Sequence, residues 1–174
     1  MIKVILRDIL KNYHSSNANN LVVITESLFS MEGTIAPIKK IAQLCNEYKA
    51  RLLVDEAHAI GILGDSGRGL SYGIKNGISI ISGTFGKAFG GGGAYLACDN
   101  YIGEYIIQKS GEFRYTTALA PPLAAGALKA LSLIKKNPEW RENLISESRY
   151  WKKRLSEETK YFVKGDAHIL SIIT

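Results

Sequence analysis

LLVDEAHAIG (Leu52–Gly61) and ISGTFGKAFGGGGAY (Ile81–Tyr95) are the two segments that decide the fold. Each opens as an apolar run and passes into turn-forming residues. Short continuous apolar runs of this kind read as strands of a parallel sheet, buried on both faces. Asp55 closes the first run, and Lys87 lies in a glycine-rich turn after the second, 32 residues further on. That separation is long enough for a crossover from one parallel strand end to another.

Working outward, LVVIT (Leu21–Thr25) is a third β-branched run and is expected to be a strand covered on both faces. Between it and RLLVD (Arg51–Asp55), the apolar positions Ile38, Ile41, Ala42, Leu44, Cys45 and Tyr48 recur at helical spacing. Pro37 suits the first turn of that helix. Strand, helix and strand in this order make a right-handed parallel unit. Residues 3–12 read as a short amphipathic helix, and Ser15–Asn20 as a loop. Ile78–Ser82 and Ala94–Cys98 read as strands, and Arg114–Pro122 as a loop or short strand. Helices are expected over residues 99–110, Leu123–Lys135 and Pro138 to about Lys160. Tyr161–Val163 and His168–Ile173 read as strands of a further unit. The expected architecture is α/β, a three-layer sandwich around a mostly parallel sheet, and the chain reads as a slice through a larger protein.

At 174 residues, with 46% hydrophobic and 22% charged residues, the chain has the composition of an ordinary globular domain. No apolar run reaches the ~18 residues of a membrane helix, so no membrane partner is expected. The start, MIKVILRDILKNYHSS, lacks the pattern of a secretory leader, which makes the cytoplasm the expected location. Cys45 and Cys98 lie far apart in apolar patterns and read as core residues; neither a disulfide nor a metal site is expected. The net charge of +6 is concentrated in residues 135–164, which hold nine basic and five acidic side chains. That is the signature of a solvated helix face rather than a nucleic-acid surface.

Parallel sheets bind ligands at the carboxyl ends of their strands, and Asp55 and Thr84 belong there. A carboxylate at such an end can hold a protonated pyridine nitrogen, which keeps the ring able to accept electrons. A lysine opposite can condense with an aldehyde. Asp55 and Lys87 together therefore point to pyridoxal phosphate. The glycines around Lys87 let backbone approach a flat ring and its phosphate, and Thr84 with neighbouring N–H groups suits that phosphate. His58, three residues past Asp55, faces the same mouth and can hydrogen-bond the ring's phenolic oxygen. Ser30, after the first strand, can reach the same atom.

Three segments, VITESLFSMEGTIAP (Val23–Pro37), LLVDEAHAIGILGDSGRG (Leu52–Gly69) and SGTFGKAFGGGGAYL (Ser82–Leu96), resemble in order and spacing the α-oxoamine synthases. The likeness runs from about Asp8 to the end. It implies the fold type I large domain of pyridoxal-phosphate transferases, here incomplete. Residues 1–137 would form part of the cofactor-binding domain, and residues 138–174 a linking helix and the start of a truncated small domain. It implies that Asp55 binds the ring nitrogen, His58 and Ser30 the phenolic oxygen, Thr84 the phosphate, and that Lys87 carries the cofactor. It also implies a homodimer in which a hydroxyl of Arg114–Ala118, Thr116 or else Thr117, reaches the neighbouring phosphate. Glu26 matches a motif glutamate of open role. The implied reaction is a condensation of an amino acid with an acyl thioester, with loss of carbon dioxide. The wording of the motifs is nearest to members that join L-alanine to a pimeloyl thioester in biotin biosynthesis. Members using other amino acids and thioesters, or an inactive remnant, stay open as alternatives.

The letters DEAH (Asp55–His58) also occur in helicases, where the acids serve magnesium. Such an enzyme needs a G-x-x-x-x-G-K-[ST] loop upstream. None precedes Asp55, and the lysine of GTFGKAF is followed by Ala88 rather than a hydroxyl.

Overall fold

The computed structural model describes residues 2–14 and 21–174. The loop expected over Ser15–Asn20 lies outside the described residues.

The apolar runs form the sheet. Strands β1 (Val22–Glu26), β2 (Arg51–Asp55), β3 (Ile80–Thr84) and β4 (Ala94–Cys98) lie side by side in chain order. The first three are parallel and β4 is antiparallel to β3. Helix α1 (Ile2–His14) precedes β1, and α2 (Ile38–Glu47) makes the crossover from β1 to β2. Pro37 stands at the N-cap position of α2, one residue ahead of its expected place. From there Ile38, Ile41, Ala42, Leu44 and Cys45 point inward, meeting Leu10 of α1 and the buried Leu52 and Val54 of β2. Burial pushes the Cys45 thiol up to about 11.

Strand residues alternate between faces, and only one face of this sheet is well covered. Val23, Leu52 and Val54 join the core under α1 and α2. Val22 and Ile24 point the other way and are 55% and 70% exposed. LVVIT is therefore a strand, but not one buried on both sides. Among the described residues only α3 (Asn100–Lys109) approaches that second face at its strand-start margin, leaving a cleft of about 330 Å³ beside Val22, Leu53 and Ile80.

Beyond β4 the chain is helical. Asp99 caps α3, its side chain accepting from the Ile102 N–H at 2.8 Å. A short helix, α4 (Gly111–Arg114), capped by Ser110, leads into the stretch expected as loop or strand, of which residues 115–120 are irregular. Helices α5 (Pro121–Lys136) and α6 (Pro138–Glu158) each begin with proline, whose missing N–H costs nothing there. A separate two-stranded antiparallel sheet follows, β5 (Phe162–Lys164) with β6 (Ser171–Ile173). The strand expected over His168–Ile173 is thus shorter. Its first half belongs to a strap, Gly165–Leu170, that crosses back over the loop after β1.

Candidate functional site

The carboxyl ends of β1, β2 and β3 stand in register. Glu26 is level with Asp55, and Asp55 with Ser82. All three side chains therefore share one face, the less covered one. The Asp55 carboxylate is pinned by two donors. The Ala57 N–H reaches Oδ1 at 2.7 Å and the Ser82 hydroxyl reaches Oδ2 at 2.8 Å. Two donors leave a carboxylate with acceptor sites to spare. Glu26 accepts from the Ser30 N–H at 3.1 Å and more weakly from the Ser30 hydroxyl at 3.5 Å. The first strand end thus fixes where Ser30 sits.

His58 lies in the turn that leaves β2. Its pKa is lowered from 6.5, first by partial burial and then by the Lys87 ammonium; Glu26 and Asp55 oppose the shift. One imidazole thus feels Lys87, Glu26 and Asp55, which belong to the exits of three neighbouring strands. At neutral pH this imidazole is uncharged and offers one donor and one acceptor.

Lys87 sits in the Phe85–Gly93 connection between β3 and β4. Thr84, the last residue of β3, shapes this turn: its Oγ1 accepts from the Gly86 N–H at 3.0 Å and donates to the Gly93 carbonyl at 3.1 Å. The Gly90 N–H closes on the Lys87 carbonyl at 2.9 Å. The Lys87 turn and the His58 loop press together at Gly61. A Cβ there would lie 2.8 Å from the Ala88 Cβ, and the backbone has φ +85°. Only glycine meets both demands.

Thr116 stands apart. It lies exposed in the irregular segment after α4, and no hydrogen bond among the described residues ties it to the mouth.

Two residues with a part in the site were not legible beforehand. Ser82 looked like the end of an apolar run; only the register against Asp55 shows its use. Glu56, 1% exposed, accepts from the Ser27 hydroxyl at 2.7 Å and from the Leu70 and Ser71 N–H groups at 3.1 and 2.6 Å. Its own N–H donates to the Ser82 carbonyl at 2.8 Å. The second acid of the DEAH letters is therefore a buried tie between the β2 exit, the β1 exit and the loop at Leu70.

Comparison with known proteins agrees with this arrangement. The family model "Aminotransferase class I and II" matches residues 2–174. The chain belongs to that family, and the relatives and solved neighbours named below fall within its α-oxoamine synthase branch. It is 39% identical over 133 residues to an 8-amino-7-oxononanoate synthase of Anaeromyxobacter sp. (strain K), covering 75% of this chain and 33% of the relative. It is 33% identical over 169 residues to that of Lysinibacillus sphaericus, covering 95% and 43%. In shape it matches a serine palmitoyltransferase from S. paucimobilis, solved with a bound pyridoxal phosphate–myriocin aldimine, at TM-score 0.85 and 25% identity. That match covers 97% of this chain and 45% of the other. An 8-amino-7-oxononanoate synthase from Francisella tularensis matches at TM-score 0.72 and 30% identity, over 93% and 48%. The chain thus spans less than half the length of each of these proteins. Its fold is that of the fold type I pyridoxal-phosphate transferases, whose cofactor is pyridoxal phosphate.

The residues present suit that cofactor. Asp55 is held at a strand end with acceptor capacity left over, as a ring N–H requires. Lys87 and a neutral His58 face the same mouth from adjoining turns.

Proposed function

We propose that this chain is the cofactor-binding part of a pyridoxal-phosphate-dependent acyltransferase. The reaction condenses L-alanine with a pimeloyl thioester, with loss of carbon dioxide, as a step in biotin biosynthesis. The observation that carries it is the convergence of Asp55, His58 and Lys87 on one mouth at the strand ends. The named relatives at 33–39% identity support the choice of substrates. The better shape match to a serine palmitoyltransferase supports a second reading, in which L-serine and a longer acyl thioester are used.

Pyridoxal phosphate supplies an aldehyde and an electron-accepting ring. The chain's residues do the rest. Asp55 holds the proton on the ring nitrogen, kept in place by Ser82 and Ala57. Lys87 holds the cofactor through its Nζ and, once released, serves as the base that takes the α-proton. Neutral His58 and the Ser30 hydroxyl bond the phenolic oxygen and set the tilt of the ring. Thr84 gives its hydroxyl proton to the Gly93 carbonyl and would turn it to the phosphate on binding, beside the N–H groups of its turn. Thr116 is assigned to the phosphate of a partner protomer in a homodimer, which fits its exposure on the surface of its own chain. Residues 1–137 belong to the large domain, and residues 138–174 to the linking helix and the start of the small one. The setting is the cytoplasm; no described helix is long and apolar enough to cross a membrane.

The test is covalent trapping. Borohydride added with pyridoxal phosphate should fix the label on Lys87, read by peptide mass; scattered labelling of surface lysines overturns the assignment. Coenzyme A release with L-alanine and pimeloyl-CoA, set against L-serine and palmitoyl-CoA, separates the two substrate readings.

A further inference from the structure

Arg141 ties the elbow between α5 and α6 to the loop that leaves β2. Its Nη1 donates to the Ile134 carbonyl at 2.8 Å, and its stem lies against Gly67. Gly67 has φ +73°, and a Cβ there would come within 2.9 Å of the Arg141 Cδ. Between this loop, the Lys87 turn and the elbow lies a cleft of about 580 Å³. That volume is in the range of small-molecule sites. Ile60, Phe89 and Leu131 make its wall largely apolar, and Arg68, Lys135 and Arg141 bring three cations to it. No acid lines it. Asp65 and Glu139 stand next in sequence to the lining residues Ser66 and Pro138, but neither is part of the wall.

The cations have donors to spare. A guanidinium offers five N–H groups. Arg141 uses one on the Ile134 carbonyl. Arg68 gives one to the Tyr72 hydroxyl, with its Cζ 4.5 Å from the centre of the Tyr72 ring. None of the three belongs to an ion pair among the described residues, and Lys135 has no hydrogen bond from its side chain there either. Cations that converge on a cavity without a counter-charge suit an anion, and arginine matches phosphate oxygens two at a time. A smaller cleft of about 160 Å³ adjoins the first across Gly61, Ile134 and Arg141. Trp140 lines it and is 53% exposed. An open indole beside a phosphate site suits a flat aromatic body.

We propose that the cleft at the α5–α6 elbow is a nucleotide-binding site, with the phosphates held by Arg68, Lys135 and Arg141 and the base laid on the neighbouring Trp140. None of Asp55, His58, Ser82 and Lys87 lines this cleft, so it is separate from the strand-end mouth. The site stands whether or not the reading under Proposed function does. Its wall includes Ile60 and Phe89, which lie two residues past His58 and Lys87. A bound nucleotide therefore braces the two turns that carry those side chains.

Fluorescence of Trp140 reads occupancy, in a Trp151→Phe background that removes the second of the two indoles. Adenosine diphosphate should give a saturable change with a midpoint of about 1 mM or below. Adenosine and inorganic pyrophosphate, each carrying only one part of it, should bind more weakly. Arg68→Gln and Lys135→Gln each remove one hydrogen bond to a charged group, about 10-fold in affinity. Both side chains are exposed, so the urea midpoint should not move. Lys136→Gln makes the same charge change in the same helix turn but outside the cleft, and should leave binding unchanged. Coenzyme A separates two sources of nucleotide. Tighter binding than adenosine diphosphate assigns the site to the carrier of an acyl thioester; equal or weaker binding assigns it to a free nucleotide. The titration is repeated after borohydride has fixed pyridoxal phosphate on Lys87 and the excess has been removed, and the midpoint should be the same. The proposal is overturned by the absence of a saturable change below about 10 mM, or by a loss in Lys136→Gln equal to that in Lys135→Gln. A signal that disappears once Lys87 is labelled also overturns it, because the ligand then sat in the mouth. Failure of Lys87 to take the label removes the functional reading alone, and the titration of the unlabelled chain still decides this one.

Discussion

Asp55 and Glu56 are adjacent in sequence and opposite in use. Asp55 faces the mouth with two donors fixing its oxygens, whereas Glu56 points into the protein and ties three segments. Replacing them should separate function from stability. Asp55→Asn keeps the size and one acceptor but cannot stabilise a ring N–H⁺. It should slow exchange of the alanine α-proton in deuterium oxide by about 100-fold or more, the scale of losing one preorganised charged group, with little change in the urea midpoint. Glu56→Ala strands the Ser27 hydroxyl and the Leu70 and Ser71 N–H groups in a buried site. At ~1–3 kcal/mol per stranded group, part of it relieved by entering water, the expected loss is about 3–5 kcal/mol in urea unfolding. The histidines add a pH signature. His58 and His168 have folded pKa values below the 6.5 of the unfolded chain. The unfolded state therefore takes up protons first. Stability is full above pH 6.5 and falls as the pH drops from there through the lowered folded values. A double variant, His58→Gln with His168→Gln, should flatten the urea midpoint between pH 7 and pH 5 relative to wild type. Asp55 and Lys87 were legible in the sequence because each sits where an apolar run gives way to a turn. Ser82 and Glu56 were not. Their roles depend on strand register and on the buried side of a turn, neither of which leaves a local pattern.

Elements show the same divide. The crossover helix α2 and strands β1 to β4 were written in the spacing of apolar residues, and their bounds fall within a residue or two of expectation. The antiparallel sense of β4 was not. It follows from the short Phe85–Gly93 connection, which can turn the chain back but cannot span a parallel crossover. The strap was read as strand because HILSIIT is apolar and β-branched. Its first residues are instead drawn off the hairpin by the contacts at Gly33 and Asp166. Gly33 therefore tests the docking of this element. A side chain there meets both a φ of +64° and the Ile169 carbonyl. Gly33→Ala should cost about 1–3 kcal/mol, the usual range for a strained backbone position. It should also open residues 165–171 to limited proteolysis ahead of global unfolding. If cleavage instead begins at random sites, the strap is not docked as an independent element.

At the scale of the molecule, the sheet has one face closed and one largely open. The closed face carries Leu52 and Val54 under α1 and α2; the open one carries Val22, Ile24 and Leu96 behind the site residues. The apolar run LVVIT misled about this because a continuous run reports that both sides of a strand are suited to burial, not which neighbour supplies the cover. Ile24 is the sharpest probe. It is 70% exposed, lies level with Leu53 across the sheet and makes up no part of the α1–α2 core. An open apolar patch of this sort binds apolar dyes and draws copies together. Ile24→Lys should therefore cut the fluorescence of an apolar dye and lower the apparent mass in light scattering at high protein concentration. The urea midpoint should stay within about 0.5 kcal/mol of wild type, as for surface substitutions away from special sites. Val23, one residue earlier on the same strand, packs against the α1–α2 core. Val23→Lys should instead unfold the chain, because its neighbours are the side chains that close the other face. Equal effects from the two lysines would mean that β1 is covered alike on both sides and that the sheet is not half open.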